Sequence, residues 1–389
     1  MKQKLLAVIL AAVAAVSCIA CKDQSAVQEE TKTASADAEE PEEESESVDD
    51  APEFTVGISS PEQAGEYWSG DLDYLTGSLE EAGFSVVIQQ AADEKEQAKQ
   101  LKDMADQVSA VILIPVDSWA LVDALDFYDE NDIPVISYNQ LVRDTDAVDY
   151  YVGFDSQAAG KAVGEFIEAQ KNLKGAKEAG ESYTMEFLLE DSGDLDSQFF
   201  YEGVRSVLEP YFEEGTLQSK SGRTQFTDLC LNASDAQSAK AKTSEILEQS
   251  YTEEPLDILC AQTDQILDGA AEALQEENYS LYTTDKLWPL LTGQDASKSA
   301  IQRILTGTQG ITVLKEYELL DDSCTDILES IRDDKDVEVN TSGKYDNGSR
   351  IVPAQLSDVQ EIDRDNYKIL ADTGVYTEEQ LESFAAEAE

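Results

Sequence analysis

The sequence predicts two α/β domains built on parallel sheets. From residue 54 onward, short runs rich in Val and Ile alternate with segments of helical length. The runs are apolar throughout instead of alternating with polar residues, which is typical of strands buried on both faces. About ten such strands are more than one doubly wound sheet of this kind comfortably holds, so we expect two sheets.

The start of the chain is typical of a bacterial lipoprotein export signal. A basic start, Met1-Lys-Gln-Lys4, precedes an apolar run that ends at Cys21 and is too short for a comfortable membrane span. We expect residues 1–21 to be this signal and Cys21 to be lipidated, which would anchor the chain at the cell surface or in the periplasm. Cys18 is an alternative cleavage site, and an uncleaved anchor or a simple signal peptide are the alternative interpretations of the run.

Residues 22–53 form an acidic segment with thirteen Asp or Glu, two Lys and almost nothing to bury. Such a composition cannot offset the entropy of ordering the chain. Repulsion between the carboxylates also extends it. The segment is therefore predicted to be a disordered linker that holds the folded part away from the membrane.

The whole chain of 389 residues is strongly acidic, with 27 basic and 82 acidic residues, a net charge of −55 and no histidine. This charge repels nucleic acid and anionic lipid headgroups, so neither is expected as a partner. The absence of histidine from the sequence excludes histidine-based acid/base catalysis and histidine metal sites.

Nine runs of the strand type follow in order. They lie at 54–58, 84–88, 110–114, 133–137, 150–154, 184–189, 256–259, 289–292 and 311–314. Between them, helical spacing is clear at Gln97, Leu101 and Met104, and the pair Asp117-Ser118 has the chemistry of a helix start. Strand–helix–strand alternation implies right-handed crossovers, with ligands at the carboxyl ends of the strands. Two such sheets facing each other would place a cleft between the domains.

Three cysteines follow the signal, at positions 230, 260 and 324. An odd number does not favour a disulfide framework, and we expect buried or half-buried thiols. A bridge between Cys230 and Cys260 remains the alternative.

Five stretches give the chain a resemblance to a known family. They are Ile-Ser-Tyr-Asn-Gln-Leu-Val-Arg at 136–143, Tyr-Tyr-Val-Gly-Phe-Asp at 150–155, Phe-Phe-Tyr-Glu-Gly at 199–203, Thr-Gly-Gln-Asp-Ala at 292–296 leading to Lys315, and Tyr-Asp-Asn-Gly at 345–348 with Val-Pro at 352–353. In order and spacing the chain resembles type I periplasmic sugar-binding proteins, the solute receptors of ABC importers. It is most similar to the subgroup that binds xylose, or glucose, galactose and arabinose.

The resemblance implies two Rossmann-like lobes with parallel sheets, joined by three hinge crossings and closing on a sugar. It places the crossings near Asp155-Ser156, Leu291-Thr292 and Ile331. The N-terminal lobe would then comprise residues 54–155 and 292–331, and the C-terminal lobe residues 156–291 and 332–389.

The resemblance also implies the sugar contacts. A sugar stacks its C–H faces on an aromatic ring and offers its hydroxyls to planar polar side chains. The matching positions are Trp68 for stacking and Asn139, Gln140, Asp196, Asp264, Gln294, Asp295, Lys315 and, more loosely, Asp117 for hydroxyls. Helix capping is an alternative role for Asp196 and Asp117.

Two departures from the family pattern affect the ligand more than the fold. Tyr67 stands where the family usually has arginine, and Asn139-Gln140 stands where it commonly has Asp-Arg. Uncharged amides form weaker hydrogen bonds than charged groups. The ligand could therefore be a related cyclic polyol instead of a usual hexose or pentose.

The function implied is capture of a monosaccharide for an ABC permease, without covalent chemistry, by a monomer that needs no cofactor or metal. The first alternative is a receptor on the same fold that signals to a chemoreceptor or sensor kinase. The second is a surface glycosidase, which the many carboxylates would allow in principle although no pair has a recognisable catalytic setting.

Overall fold

The computed structural model describes residues 54–62, 65–282 and 285–388, with the side chains of 65–71 and 388 outside the description. Cys21 and the acidic linker therefore lie outside the described residues, and so does the side chain of Trp68. In the described part of the chain no helix is long and apolar enough to cross a membrane.

The strands follow one another in short segments. They are β1 (Thr55–Pro61), β2 (Ser85–Ala91), β3 (Ala110–Leu113), β4 (Val135–Tyr138), β5 (Tyr150–Phe154), β6 (Tyr183–Leu188), β7 (Leu217–Gln218), β8 (Ile258–Ala261), β9 (Leu290–Thr292), β10 (Thr312–Leu314), β11 (Thr341–Asp346), β12 (Ile351–Ser357) and β13 (Gln360–Ile362). All nine predicted runs are strands, within three residues at either end.

Helices connect most of these strands. They are α1 (Gly65–Glu81), α2 (Glu94–Met104), α3 (Val122–Glu130), α4 (Ser156–Gln170), α5 (Leu173–Ala179), α6 (Leu195–Glu213), α7 (Phe226–Leu229), α8 (Ala236–Ser250), α9 (Asp264–Glu276), α10 (Lys298–Thr306), α11 (Glu318–Arg332), α12 (Ile369–Asp372) and α13 (Glu378–Ala388). A 3₁₀ turn at Ala105–Gln107 follows α2.

The strands form two main sheets. The first has the order β11-β12-β5-β4-β3-β1-β2, and the second has the order β7-β6-β8-β9. Neighbouring strands are parallel except β11, which is antiparallel to β12. Beside the second sheet, β10 bridges to β9 and pairs antiparallel with β13. The predicted α/β class with parallel sheets is confirmed, and the antiparallel pairs are additions to it.

Both faces of the first sheet are covered, which explains its continuous apolar runs. On β3, Ala110 and Ile112 pack in one core with α1 and α11, whereas Val111 and Leu113 pack in another with α2 and α3. The second sheet repeats this arrangement, with α4 and α6 on one face and α8 and α9 on the other. We call each sheet with its helices the first lobe and the second lobe.

The crossings between the lobes correct two of the predicted boundaries. The first crossing is where the sequence places it, between β5 and α4. The second lies after Lys315, because β9 joins the second sheet and β10 lies beside it before α11 returns to the first lobe. The third lies at 358–359, because β12 pairs with β5 and β13 pairs with β10. Residues 292–314 thus belong to the second lobe, and residues 341–357 belong to the first.

Two glycines bring α4 and α6 into close contact. A methyl group on Gly160 would collide with the carbonyl of Phe200, and one on Gly203 would collide with the carbonyl of Gln157. The two helix backbones can approach this closely only without side chains there. This contact fixes the start of α6 next to the first crossing.

Among the described residues, the three cysteines form no disulfide with one another. Cys260 and Cys324 are buried and Cys230 is half-buried, so the expectation of unbridged thiols is confirmed.

Candidate ligand-binding cavity

A cavity of about 280 Å³ opens between the two lobes. Its walls come from the carboxyl ends of strands in both sheets, as expected for parallel α/β sheets. The first lobe contributes Pro61, Ile114, Pro115, Tyr138, Asn139 and Gln140, and the second lobe contributes Glu190, Asp194, Asp196, Phe200, Gln262, Gln294 and Lys315, with Ser156 at the first crossing.

The turn after β4 presents Asn139 and Gln140 to the cavity. Asn139 has a φ of 59°, a left-handed conformation that asparagine tolerates better than most residues. Its N–H donates to the carbonyl of Val152 at 2.7 Å, and the Ser137 hydroxyl donates to the carbonyl of Gln140 at 2.7 Å. The backbone bonds hold the turn, so both amide side chains are available at the cavity wall.

Asp196 lies where the two lobes meet. Its Oδ2 is 3.0 Å from the hydroxyl of Tyr151 on β5, and its Oδ1 is 3.0 Å from the hydroxyl of Ser156. The helix cap is Asp194 instead, whose carboxylate accepts the Asp196 N–H at 3.1 Å. Burial first, and then their mutual repulsion, raise the pKa of Asp196, and burial raises that of Asp194.

Glu190, Gln262 and Gln294 form a connected wall on the second lobe. The Glu190 N–H donates to Gln262 Oε1 at 2.9 Å, and Gln262 Nε2 donates to Glu190 Oε2 at 3.3 Å. Gln294 Nε2 donates to the carbonyl of Gln262 at 2.6 Å. Burial and the nearby charge of Asp295 raise the pKa of Glu190 to about 8.

Lys315, at the end of β10, forms a salt bridge with Asp295. The Lys315 Nζ lies 3.2 Å from Asp295 Oδ1, and the lysine side chain is 17% exposed against 42% for the aspartate. Burial lowers the pKa of Lys315, but the carboxylates of Asp295, Glu190 and Asp196 outweigh it, and the pKa is raised overall. The predicted residues Gln294, Asp295 and Lys315 are thus brought together at one edge of the second sheet.

Asp264 corrects the sequence prediction, because it lies behind the cavity wall. It is 1% exposed, and its carboxylate accepts from Gln309 Nε2 at 2.9 Å, from the Thr312 hydroxyl at 2.9 Å and from the Ser297 N–H at 3.0 Å. These bonds tie the start of α9 to the loop after β9. Burial raises its pKa to about 7. The carboxylate therefore supports the fold, and Asp264 is not among the residues that line the cavity.

Asp117 is also placed away from the cavity. It is exposed, and its Oδ1 accepts the N–H of Trp119 at 2.8 Å in a turn that precedes α3. The helix itself begins at Val122, after a residue that makes no side-chain cap. The sequence predicted a helix start at Asp117-Ser118, but these residues lie in a turn and the helix starts later.

The sequence did not identify six polar or aromatic residues of the cavity as site residues. They are Tyr138, Ser156, Glu190, Asp194, Phe200 and Gln262. Tyr138 ends β4, and Glu190 and Gln262 come just after the ends of β6 and β8. Position at the carboxyl end of a strand was the signal that could have identified these three residues.

Similarity to known proteins agrees with this geometry. A model of the periplasmic binding protein domain matches residues 56–336. The chain belongs to this family. The resemblance inferred from the five motifs is therefore confirmed.

Individual members of the family cover most of the chain. The multiple sugar-binding periplasmic receptor ChvE of Rhizobium radiobacter is 30% identical over 330 residues, which are 84% of this chain and 92% of the receptor. The D-xylose-binding periplasmic protein of Haemophilus influenzae is 27% identical and covers 85% of this chain and 92% of its own.

A solved structure shows the same architecture. An ABC transporter solute-binding protein from Clostridium phytofermentans with bound β-D-glucose is 29% identical and has a TM-score of 0.76. It covers 84% of this chain and 99% of its own. This periplasmic binding protein thus shares both lobes with a sugar-bound relative.

Proposed function

We propose that this periplasmic binding protein captures a monosaccharide in the cavity between its lobes and delivers it to an ABC importer. One observation carries the proposal: the carboxyl ends of strands in both sheets supply planar polar side chains to a single cavity between the lobes. A sugar bound there would contact both lobes. Its binding would therefore favour the closed arrangement of the two lobes.

The cavity residues have separate roles in this proposal. The amides of Asn139 and Gln140 would donate to and accept from hydroxyls on the first-lobe side. On the second-lobe side, Gln294 would accept from hydroxyls through its Oε1 and Lys315 would donate to them, with Asp295 orienting the ammonium of Lys315. The apolar surfaces of Phe200 and Tyr138 would face the ring. The sugar would leave unchanged.

A thermal-shift screen of the purified protein tests capture. Against a broad panel of monosaccharides, polyols and nucleosides, a ligand at 100 times its dissociation constant should add about 2.7 kcal/mol of stability. Asp295→Ala should remove the shift, whereas Asp126→Ala, at an exposed position on α3, should keep it. If no member of the panel raises the melting temperature, the capture function fails.

Closure is tested by small-angle scattering. In the structure the lobes already touch, through Tyr151 and Asp196 at 3.0 Å and through Lys344 Nζ, which donates to Gln157 Oε1 at 2.9 Å. We expect a saturating sugar to shift the population toward this compact form and to lower the radius of gyration. A sugar that binds without any change in scattering would contradict closure.

We also propose that lipid on Cys21 anchors the protein outside the cytoplasm. The apolar run before Cys21 and the acidic segment after it support this. Cys21→Ser should move the protein from the membrane to the soluble fraction, and Cys18→Ser should not. The reverse result would identify Cys18 as the lipidated residue.

A further inference from the structure

The second-lobe wall of the cavity carries more negative than positive charge. Glu190, Asp194 and Asp196 all line it. Among the described lining residues Lys315 is the one cation, and its ammonium contacts Asp295. No described lysine or arginine makes a salt bridge with any of the three lining carboxylates. Buried charges of one sign are stabilised by a partner of the other sign.

The same wall contains a buried acceptor without a donor. Gln294 is 1% exposed, and its Nε2 is used on Gln262. Its Oε1 is buried and has no hydrogen-bond partner among the described residues. Such an unsatisfied buried acceptor destabilises a protein unless a ligand supplies the donor. Through Gln262 this oxygen belongs to the same wall as Glu190.

The electrostatics of the carboxylates agree with an excess of negative potential, which the charge of Lys315 offsets only in part. Burial and Asp295 raise the pKa of Glu190, and burial raises the pKa values of Asp194 and Asp196. A positive group in the cavity would oppose each of these shifts. Within the described residues, no group of carboxylates and thiols has the arrangement to hold a metal ion. The positive group is therefore expected to belong to an organic ligand.

We propose that the preferred ligand is an amino sugar, a monosaccharide with a protonated amine in place of one hydroxyl, held with its ammonium between Glu190 and Gln294. An ammonium supplies three donors and a positive charge, which fit a carboxylate and an amide oxygen on one wall. The first-lobe amides would bind the hydroxyls that remain. This specificity rests on the proposed capture function, because it concerns the same cavity.

Calorimetric titrations at a pH of about 7, where such amines are largely protonated and the ammonium can displace the proton that Glu190 holds, test the proposal. D-Glucosamine, D-galactosamine and D-mannosamine are each compared with the neutral parent sugar. We expect at least one amino sugar to bind at least about tenfold tighter than its parent, and D-glucuronate to bind weaker than D-glucose. If neutral sugars bind and no amino sugar binds tighter than its parent, the specificity is overturned while the capture function stands. If no sugar of any kind binds, both fail.

A pair of variants then locates the ammonium. Glu190→Gln keeps the shape of the side chain and removes its charge, and should lower the preference for the amino sugar over its parent at least about fivefold. Glu181→Gln makes the same change of charge at an exposed position of the second lobe and should leave the preference unchanged. An equal preference in both variants would overturn the placement. The titrations of the unaltered protein decide the ligand class even if Glu190→Gln does not fold.

Discussion

The two walls of the cavity differ in chemistry although both come from the ends of parallel strands. The residues described on the first-lobe wall are uncharged, namely Pro61, Ile114, Pro115, Tyr138, Asn139 and Gln140. The second-lobe wall carries Glu190, Asp194, Asp196 and Lys315. Residues that follow the strands thus offer apolar surface and neutral hydrogen bonds on the first-lobe wall, and charged groups on the second-lobe wall. The fold determines where a ligand binds, and the side chains after each strand determine which ligand.

The largest expected effect comes from removing the positive charge of the second wall. Lys315→Met should weaken the binding of a neutral sugar by about 2–4 kcal/mol, because truncating one partner of a buried charge pair leaves the other charges uncompensated. Calorimetry measures this loss. Lys298→Met, which removes a half-exposed lysine paired with Glu387 at 3.1 Å, should change binding by less than about 0.5 kcal/mol. Equal losses in the two variants would contradict the charged role of the wall.

Asp264→Ala should show whether this carboxylate stabilises the fold or contacts the ligand. Three hydrogen-bond donors would lose a buried carboxylate, so the free energy of unfolding should fall by about 2–4 kcal/mol. Denaturant titration measures the stability, and calorimetry on the folded protein measures the affinity. The affinity should fall much less than in Lys315→Met. A loss of affinity as large as that of Lys315→Met, with stability unchanged, would make Asp264 a ligand contact after all.

The charge of Glu190 should make stability depend on pH. Its pKa is raised to about 8, so the folded state binds the proton more tightly than the unfolded state does. The stability from this group is complete below the unfolded pKa near 4.5 and is lost as the pH rises through about 8. The full shift is worth at most about 5 kcal/mol, and we expect roughly 2 kcal/mol because water reaches part of the carboxyl group.

Denaturant titrations between about pH 5 and 8 measure this loss. Glu190→Gln should show a smaller decline than the unaltered protein, whereas Glu181→Gln should follow the unaltered protein. A decline that is the same in all three proteins would assign the pH dependence to other groups.

The smallest effect is expected on the uncharged wall. Gln140→Ala should weaken sugar binding by about 1 kcal/mol, the contribution of a neutral hydrogen bond. The turn should survive, because the Ser137 hydroxyl donates to the backbone carbonyl of Gln140. The side chain of Gln140 takes no part in this bond. Calorimetry on Gln140→Ala beside Lys315→Met gives the comparison directly. A larger loss for Gln140→Ala would reverse the ranking of the two walls.

Local patterns were sufficient for the strands but not for their partners. The run at 311–314 is apolar because it is buried. A strand buried in either sheet would have the same apolar composition, so the composition does not show which sheet it joins. Only the pairing of β10 with β13 and its bridge to β9 assigns residues 292–314 to the second lobe. The strands β11 and β12 are partly exposed and lack the apolar run, so their place at the edge of the first sheet had no clear local signal.

The site shows the same division. Motif register correctly brought Asn139, Gln140, Asp196, Gln294 and Lys315 to the cavity, with Asp295 paired to Lys315 beside it. It could not distinguish a carboxylate that faces the ligand from one that faces the protein, so Asp264 was assigned to the wrong side of the wall. Glu190 was missed because nothing in the neighbouring residues shows that a glutamate after a strand will be half-buried near three other carboxylates.

The sequence by itself determined the α/β class, the parallel strands and the edge where ligands bind, because hydrophobic periodicity and strand ends are properties of neighbouring residues. The tertiary structure decided which strands share a sheet, where the second and third crossings lie and which carboxylates meet in the cavity. Those features depend on contacts between residues far apart in the chain, such as Tyr151 with Asp196 and Lys315 with Asp295. The pattern of neighbouring residues does not predict such contacts, because their energies arise only when the folded chain brings the partners together.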